Sequence, residues 1–294
     1  MERELWREVA RALKRLPCRR PRGGVYSNRQ VLAVLVWAGL HERSVSWACC
    51  RENWPVQAWR RELPGQPTMS RRLRDPEVEE DLRRLVAIIQ RRLPPSRTLI
   101  LDGKPLAVSE FTSDPEAATG WGAGRYAKGY KLHALIDGAH RLLAWAVRPM
   151  NEAECVVAVG LLARAAREGL VPAGATVLAD GSYDSNPLHA QAARDGAFLL
   201  APRRKPGGSV SSGHAQHPGR LASIALTEHD PAAAAWASRT RKTVERYFGT
   251  LASCAGGLFA LPAWARRMAR VVPWVGAKLV LNTARHCLRT TLDA

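Results

Sequence analysis

Thr-Leu-Ile-Leu-Asp-Gly-Lys, at residues 98–104, is a short apolar run that closes on a carboxylate and a glycine. Such a run, bounded by turn-forming residues, predicts a buried β-strand with Asp102 on the strand or at its end. A buried carboxylate without a partner is energetically costly. Asp102 therefore either makes hydrogen bonds as a turn residue or shares a metal ion with other carboxylates.

The chain of 294 residues is long enough for two domains, and its 46% hydrophobic and 24% charged residues are typical of a globular protein. Its net charge of +18 is unusual and indicates a polyanionic partner, either nucleic acid or an acidic membrane surface. The longest apolar run, residues 31–40, is about half of the ~20 residues that a membrane-spanning helix needs. The sequence therefore favours nucleic acid and predicts no membrane partner.

Charge is unevenly distributed along the chain. The net charge is +9 in residues 1–95, +1 in residues 96–230 and +8 in residues 231–294. The nearly neutral middle can hold acidic chemistry, whereas the basic ends can bind a polyanion. The six cysteines show no CxxC spacing and are typical of reduced thiols, which predicts a cytoplasmic protein.

The N-terminal region, residues 1–95, shows helical periodicity and predicts an all-α domain. Ser27 and Gln30 form a capping-box signature that opens one of its helices. A short helix is expected at residues 68–74, directly after a turn rich in Pro and Gly. A compact run of helices that ends in such an element suits a helix-turn-helix-like DNA-binding domain.

Arginines dominate that short helix. Arg71, Arg72 and Arg74 either contact DNA or form a solvated basic face. A longer helix follows, with Asp75 as its cap and acidic residues in its first turns. The Pro-Pro pair that ends this helix marks the expected boundary between two domains.

The second domain, residues 96–294, contains three strands, a helix, a strand, a helix, a strand and a further helix in that order. Short or loop connections join the first three strands, which are therefore expected to be antiparallel. This order predicts an RNase H-like fold, an α/β architecture with a mixed sheet and helices on both faces. The expected strands are residues 98–102, 129–138, 142–147, 176–179 and 197–201, and two basic helices are expected at residues 263–271 and 274–289.

Two carboxylates, Asp102 and Asp180, each follow a short apolar strand. In the expected topology the first and fourth strands are neighbours, so these acids would lie close together. The helix predicted at residues 231–252 is basic and contains one acid, Glu245, which can supply a third ligand. Three clustered carboxylates suit two Mg²⁺ ions, or Mn²⁺ in their place, and such ions support in-line phosphoryl transfer.

Four short motifs in this order resemble the DDE transposases of bacterial insertion sequences, over roughly residues 99–289. The motifs are Leu-Asp-Gly at residues 101–103, Lys-Gly-Tyr-Lys-Leu-His at 128–133, Ala-Asp-Gly-Ser-Tyr-Asp at 179–184 and Arg-Lys-Thr-Val-Glu-Arg-Tyr-Phe at 241–248. The resemblance implies that Asp102, Asp180 and Glu245 are the metal-binding catalytic residues. It also implies that Arg241, one helical turn before Glu245, contacts DNA phosphate.

The resemblance further implies a transposase of a mobile element, which cleaves the element's ends by two-metal phosphoryl transfer and joins the freed 3′-OH to target DNA. Its partners would be double-stranded DNA, namely terminal inverted repeats and a target, bound by a homodimer on paired ends in the bacterial nucleoid. Among enzymes, the alternative is a metal nuclease of the same fold that cuts without joining. Outside enzymes, the alternative is a transposase-derived DNA-binding protein that is no longer catalytic.

Some positions depart from the family pattern or leave two interpretations open. Ser238 and Ala252 stand where the family has a tyrosine and a lysine that help to hold the element's end, which puts efficient strand transfer in doubt. Lys128 and Lys131 are candidates for phosphate contact. Trp121, in a glycine-rich predicted loop, either stacks on a DNA base or folds its own loop.

Overall fold

The computed structural model describes residues 1–56, 62–122, 124–205, 215–253, 257–258 and 261–292. The chain divides into two units. The helical unit comprises Met1–Leu93, Thr112–Glu116 and Gly249–Ala294, and the sheet unit comprises Pro94–Phe111 and Ala117–Phe248. No helix in the described ranges is long and apolar enough to cross a lipid bilayer.

Five helices precede four consecutive strands, after which helices and strands alternate until three helices end the described order. The helices are α1 (Glu2–Arg15), α2 (Asn28–Leu40), α3 (Val45–Ala48), α4 (Gln66–Arg72), α5 (Pro76–Ile89), α6 (Glu154–Arg167), α7 (Asn186–Arg194), α8 (Pro218–His229), α9 (Pro231–Ser253) and α10 (Met268–Leu292). The strands are β1 (Thr98–Ala107), β2 (Ala118–Gly122), β3 (Arg125–Asp137), β4 (Leu142–Pro149), β5 (Thr176–Leu178) and β6 (Phe198–Leu200).

Polar residues fix the starts of two helices in the helical unit. Ser27 and Gln30 form the predicted capping box of α2, in which the Ser27 amide donates to Gln30 Oε1 at 3.0 Å. Asp75 caps α5 by accepting a hydrogen bond from the Glu77 amide at 2.9 Å. The start expected for the short arginine-rich helix, at residue 68, is wrong by two residues. This helix, α4, begins at Gln66 and has no side-chain cap.

The helix α2 lies at the centre of the core of the helical unit. Its apolar residues are buried on all sides, and it contacts α1, α3, α5 and α10. Trp37 of α2 packs with Trp6 and Trp54 at ring-centroid distances of 4.9 and 4.5 Å. A helix that is apolar on every side is stable only when other elements cover every side, so the core of this unit depends on all the helices that pack against α2.

The last helix, α10, belongs to the helical unit and contacts α1, α2 and α5. Its buried Lys278 Nζ donates to the Gly39 carbonyl at 2.8 Å and to Glu42 Oε1 at 2.9 Å. The sequence predicts two basic C-terminal helices inside the second domain, and the structure corrects this. One helix runs through Pro273, and its apolar residues fill the core around α2.

The sheet unit is built on a mixed sheet. Strand β3 pairs antiparallel with β1, β2 and β4, whereas β5 runs parallel to β1 and β6 runs parallel to β5. The first and fourth strands expected from the sequence are β1 and β5, and they are neighbours. The predicted RNase H-like mixed sheet is therefore confirmed.

Helices cover both faces of this sheet. Side chains alternate between the two faces along a strand, and Leu99 and Leu101 of β1 lie in an apolar cluster with α7 and with Leu161 of α6. The intervening side chains of β1 point to the opposite face. On that face Arg241 of α9 lies 3.7 Å from Asp102.

Three local expectations for the sheet unit are wrong. A loop is predicted at residues 109–128, but β2 lies within it. A second loop is predicted at residues 202–228, but α8 lies within it, and residues 206–214 of that segment lie outside the described residues. Asn151 is predicted to cap α6, which instead begins at Glu154.

Candidate active site

Asp102 lies inside β1 and not at its end, because the strand continues to Ala107. It sits directly opposite Ala134 of β3. Its Oδ1 accepts a hydrogen bond from the Gly103 amide at 2.8 Å, and its side chain is 18% exposed. A rigid, paired strand therefore holds this carboxylate almost out of solvent.

The surroundings of Asp102 make its ionised form costly. Burial raises the pKa of Asp102 to about 6, and the carboxylates of Asp180 and Glu154 act in the same direction. The Gly103 amide and the Arg241 guanidinium act in the opposite direction on this pKa. A carboxylate in such a place is stabilised by any added cation.

Asp180 is brought towards Asp102 by the pairing of β5 with β1. Ile100 lies opposite Leu178 in the parallel register, and each acid follows two residues later. Oδ1 of Asp180 accepts a hydrogen bond from the Ser182 amide at 2.8 Å, which caps the single helical turn that follows. The two aspartates therefore occupy equivalent places on neighbouring strands, Asp102 inside β1 and Asp180 just beyond the end of β5.

Glu245, the third predicted acid, lies on α9 one turn after Arg241. Nη1 of Arg241 lies 3.7 Å from Asp102 Oδ2, and Nη2 lies 3.8 Å from Glu245 Oε1. The Glu245 side chain is 58% exposed. Across the described ranges, no three His, Cys, Asp or Glu side chains are placed to hold one metal ion. A guanidinium thus lies between Glu245 and Asp102, and Glu245 does not join the two aspartates.

A chain of polar contacts behind Asp180 was not predicted. Lys131 Nζ donates to Glu154 Oε1 at 2.6 Å, and Lys131 is 7% exposed. The hydroxyl of Ser182 contacts both Glu154 Oε2 and Asp180 Oδ1. Lys131 is therefore engaged inside the protein, which corrects the expectation that it contacts DNA phosphate.

The sequence gives little local signal for this chain of contacts. Lys131 and Glu154 are far apart in sequence, so no helical or strand spacing links them. Ser182 occupies a turn and is most simply interpreted there as a turn residue.

Tyr183 contributes an unpartnered hydroxyl beside the acids. It is 1% exposed, and its hydroxyl has no hydrogen-bond partner within the described part of the chain. Burial raises its pKa well above the usual value, and the carboxylates of Glu154, Asp102 and Asp180 act in the same direction. The carboxylates of Asp102 and Asp180 and the Tyr183 hydroxyl are oxygen donors of the kind that a hard divalent cation takes, and such a cation would relieve the repulsion between the acids.

The predicted DNA-contacting arginines of α4 fall into two groups. Arg71 and Arg74 are exposed. Arg72 is mostly buried, donates to the Tyr26 carbonyl at 2.9 Å and contacts Asn28. Its guanidinium therefore ties α4 to the start of α2. The exposed arginines of the predicted set are Arg71, on α4, and Arg74, two residues beyond its end.

Other candidate residues have plain structural environments. Lys128 is half-buried on β3. Asp184 accepts hydrogen bonds from Arg220 Nε at 2.7 Å and Nη2 at 2.6 Å, as a structural acid would. His133 is 1% exposed, and burial lowers its pKa to about 4, so it is a neutral core residue.

A family model described as "Transposase DDE domain" matches residues 93–271. A cryo-EM structure of a piggyBac transposase synaptic complex with hairpin DNA aligns with 99% of this chain and 73% of its own chain, at 11% identity and a TM-score of 0.43. No curated protein matches the sequence.

Proposed function

The chain belongs to the transposase DDE domain family, and on this premise we propose that it cleaves the ends of a mobile DNA element and joins the freed 3′-OH to target DNA. The matched segment, residues 93–271, contains the three acids Asp102, Asp180 and Glu245. The observation that supports the proposal most is the pair of aspartates on the neighbouring strands β1 and β5, each two residues beyond the paired positions Ile100 and Leu178.

Asp102, Asp180 and Glu245 are proposed to hold two divalent ions, Mg²⁺ or Mn²⁺. When bound, such ions stabilise the attacking and leaving oxygens of an in-line displacement at phosphorus. The raised pKa of Asp102 supports this role, because its ionised form lacks sufficient compensation from the protein alone. Glu245 is exposed, and it would join the two aspartates once its ion pair with a neighbouring residue on α9 is broken.

Arg241 is proposed to be that neighbour. Its guanidinium lies close to both Asp102 and Glu245, and a phosphate offers it a bidentate partner of higher charge. When DNA enters, Arg241 binds the phosphate at the cleavage position. Its movement leaves the carboxylates of Asp102 and Glu245 free to act together.

The proposed DNA partners are inferred from membership of the family and from the net positive charge of the chain. We propose terminal inverted repeats and target DNA as substrates, because the net charge of +18 suits an extended polyanion. Arg71, Arg74 and Lys128 are proposed to contact phosphates. Two element ends must be processed together, so we propose a homodimer on paired ends, working in the cytoplasm on the nucleoid of a bacterium that carries the insertion sequence.

A cleavage and joining assay tests the proposal. The protein is incubated with labelled element ends, a supercoiled target plasmid and Mg²⁺ or Mn²⁺. We expect nicked ends and joined products, with the joining step slowed by the Ser238 and Ala252 departures. Nicks without joined products would indicate a nuclease, and gel shifts without cleavage would indicate a binding protein.

The Asp102→Asn variant tests the assignment of the site. It should abolish cleavage and preserve the gel shift, because the substitution removes a charge and keeps the shape. Asp195→Asn, at the end of α7, is the matched control and should behave as the wild type. Cleavage at the wild-type rate by Asp102→Asn would overturn the assignment.

A further inference from the structure

One face of the β2–β3 hairpin lies against Pro105 and Met150 of the same unit, and β2 has glycines at its positions on this face. A Cβ atom on Gly120 would lie 2.4 Å from the Met150 carbonyl oxygen, and a Cβ on Gly122 would lie 2.7 Å from Pro105 Cβ. Neither contact is possible for a real Cβ atom, so only glycine at both positions lets β2 lie this close to Met150 and Pro105. Because side chains alternate along a strand, Trp121 between them points away from the protein.

The outer face of the hairpin carries two exposed aromatic rings. Trp121 is 59% exposed and Tyr126, its cross-strand partner, is 70% exposed. Their ring centroids are 5.3 Å apart with an interplanar angle of 82°. Trp121 therefore does not fold its own loop into a small core, and the hairpin holds both rings in contact with solvent.

The charged residues of the hairpin segment itself are of one sign. Residues 118–131 contain no Asp or Glu and include Arg125 and Lys128. Lys128 lies on the same face as Tyr126, two residues along β3. Arg125 is exposed at the first position of β3, opposite Gly122 and beside Tyr126 in the chain. Thr119, the other outward position among the described residues of β2, is exposed, small and polar, so the described outer positions carry aromatic, cationic and small polar side chains.

We propose that Trp121 and Tyr126 form a stacking platform for an unpaired base of the DNA strand, with Arg125 and Lys128 on the adjoining phosphates. Aromatic side chains among cations are the usual means of holding single-stranded nucleic acid. A base pair inside a duplex hides its faces in the stack, so this platform selects DNA whose strands are locally open. The inference rests on the proposed function in that the bound polyanion is DNA.

The stacking platform is tested by binding alone, without divalent metal, so that no cleavage occurs. The full-length chain is titrated with three oligonucleotides that share one sequence: a single strand, a duplex with one unpaired base, and a fully paired duplex. Each carries 2-aminopurine, whose fluorescence is quenched by stacking on an aromatic ring. The variants are Trp121→Ala, Trp121→Leu and Trp121→Phe, with Trp236→Ala as the control at another exposed tryptophan.

We expect Trp121→Ala and Trp121→Leu to weaken binding of the two unpaired probes by about tenfold and to remove their quenching, as loss of one stacked base does. Trp121→Phe should retain both, and the fully paired duplex should bind all variants alike. Equal affinity of Trp121→Leu and Trp121→Phe for the unpaired probes would overturn the platform, as would equal losses on all three probes. The cleavage assay uses paired ends and metal, so failure of the proposed function would be seen separately.

Discussion

Nη1 of Arg241 lies 3.7 Å from Oδ2 of Asp102, so a positive charge from α9 faces a nearly buried carboxylate in the middle of β1. This electrostatic interaction links α9 to β1. Arg241 is also the group on α9 that lowers the pKa of Asp102 against the effect of burial. This contact is the basis of the first prediction.

Replacing Arg241 with Met should raise the pKa of Asp102 above its value of about 6, because burial and the neighbouring carboxylates then act with less opposition. Carboxyl ¹³C chemical shifts of labelled aspartate, followed across a pH titration without metal, measure this change. Arg239→Met, at an exposed position on the same helix, is the control and should leave the titration unchanged. An unshifted Asp102 titration in Arg241→Met would contradict the prediction.

Asp102→Asn should stabilise the metal-free protein near neutral pH. The pKa of Asp102 in the folded state, about 6, lies above its usual value of 3.8, so the folded protein binds this proton more tightly than the unfolded chain. Stability therefore falls as pH rises from about 4 to 6. At about 1.36 kcal/mol per pKa unit, Asn should increase the free energy of unfolding by up to about 3 kcal/mol at pH 7.5.

Urea unfolding in EDTA at pH 7.5 and pH 4 measures this gain. The difference between Asp102→Asn and the wild type should nearly vanish at pH 4, where the aspartate is protonated in the folded state. A variant that is less stable than the wild type at pH 7.5 would show that Asp102 is well compensated without metal.

Ser182→Ala should weaken metal binding while the fold persists. The Ser182 hydroxyl contacts both Glu154 and Asp180, so its removal frees the Asp180 carboxylate to turn. Loss of a group that orients a metal ligand typically lowers metal affinity about 10–100-fold. Calorimetric titration with Mn²⁺ measures the change.

Ser185→Ala is the matched control for that experiment. Its hydroxyl is buried and has no hydrogen-bond partner among the residues that the structure describes. Manganese affinity should therefore stay at the wild-type value in this variant. Equal affinities of Ser182→Ala and Ser185→Ala would mean that the hydroxyl contact does not orient Asp180.

Arg220→Met should destabilise the sheet unit by about 3–5 kcal/mol, because it leaves the Asp184 carboxylate buried without its charged partner. The Asp184 side chain is 3% exposed, and the two hydrogen bonds from Arg220 keep its pKa at about 2 despite burial. A lowered pKa contributes stability above the usual value of 3.8, which is lost as pH falls towards 2. The effect of Arg220→Met should therefore shrink in acid.

A surface ion pair provides the comparison for Arg220→Met. Arg164 Nε on α6 lies 2.8 Å from Oε1 of Glu168, the residue that follows the helix, and both side chains are partly exposed. Arg164→Met should therefore cost only about 0.5 kcal/mol. Chemical denaturation of both variants at neutral pH gives the two values. Similar losses for the buried and the exposed pair would contradict the structural role given to Asp184.

The parts of the fold that the sequence predicted depend on local signals. The capping box at Ser27 and the Asp75 cap lie within one helical turn, and each element starts where its cap indicates. The apolar runs before Asp102 and Asp180 likewise predict β1 and β5, and the order of the elements predicts their pairing. The caps and the apolar runs can each be read within about ten residues, whereas the pairing follows from the order of the elements.

The parts that were missed depend on contacts distant in sequence. β2 has no apolar alternation, because its glycines are required by Met150 and Pro105 and its aromatic side chain faces solvent. The pairing of Lys131 with Glu154 joins a strand to a helix, and the basic side chain gives no sign of its burial. α10 was divided because proline usually ends a helix, yet tertiary packing carries it through Pro273.

The membership of α10 in the helical unit sets the order in which the protein can be completed. During translation, α1, α2 and α5 are synthesised before the sheet unit, and α10 (Met268–Leu292) is synthesised after it. Until then, the apolar residues of α2 that α10 covers stay open to water and to proteases. A message truncated before this helix would therefore yield a chain whose N-terminal domain cannot close, whatever the state of its catalytic acids.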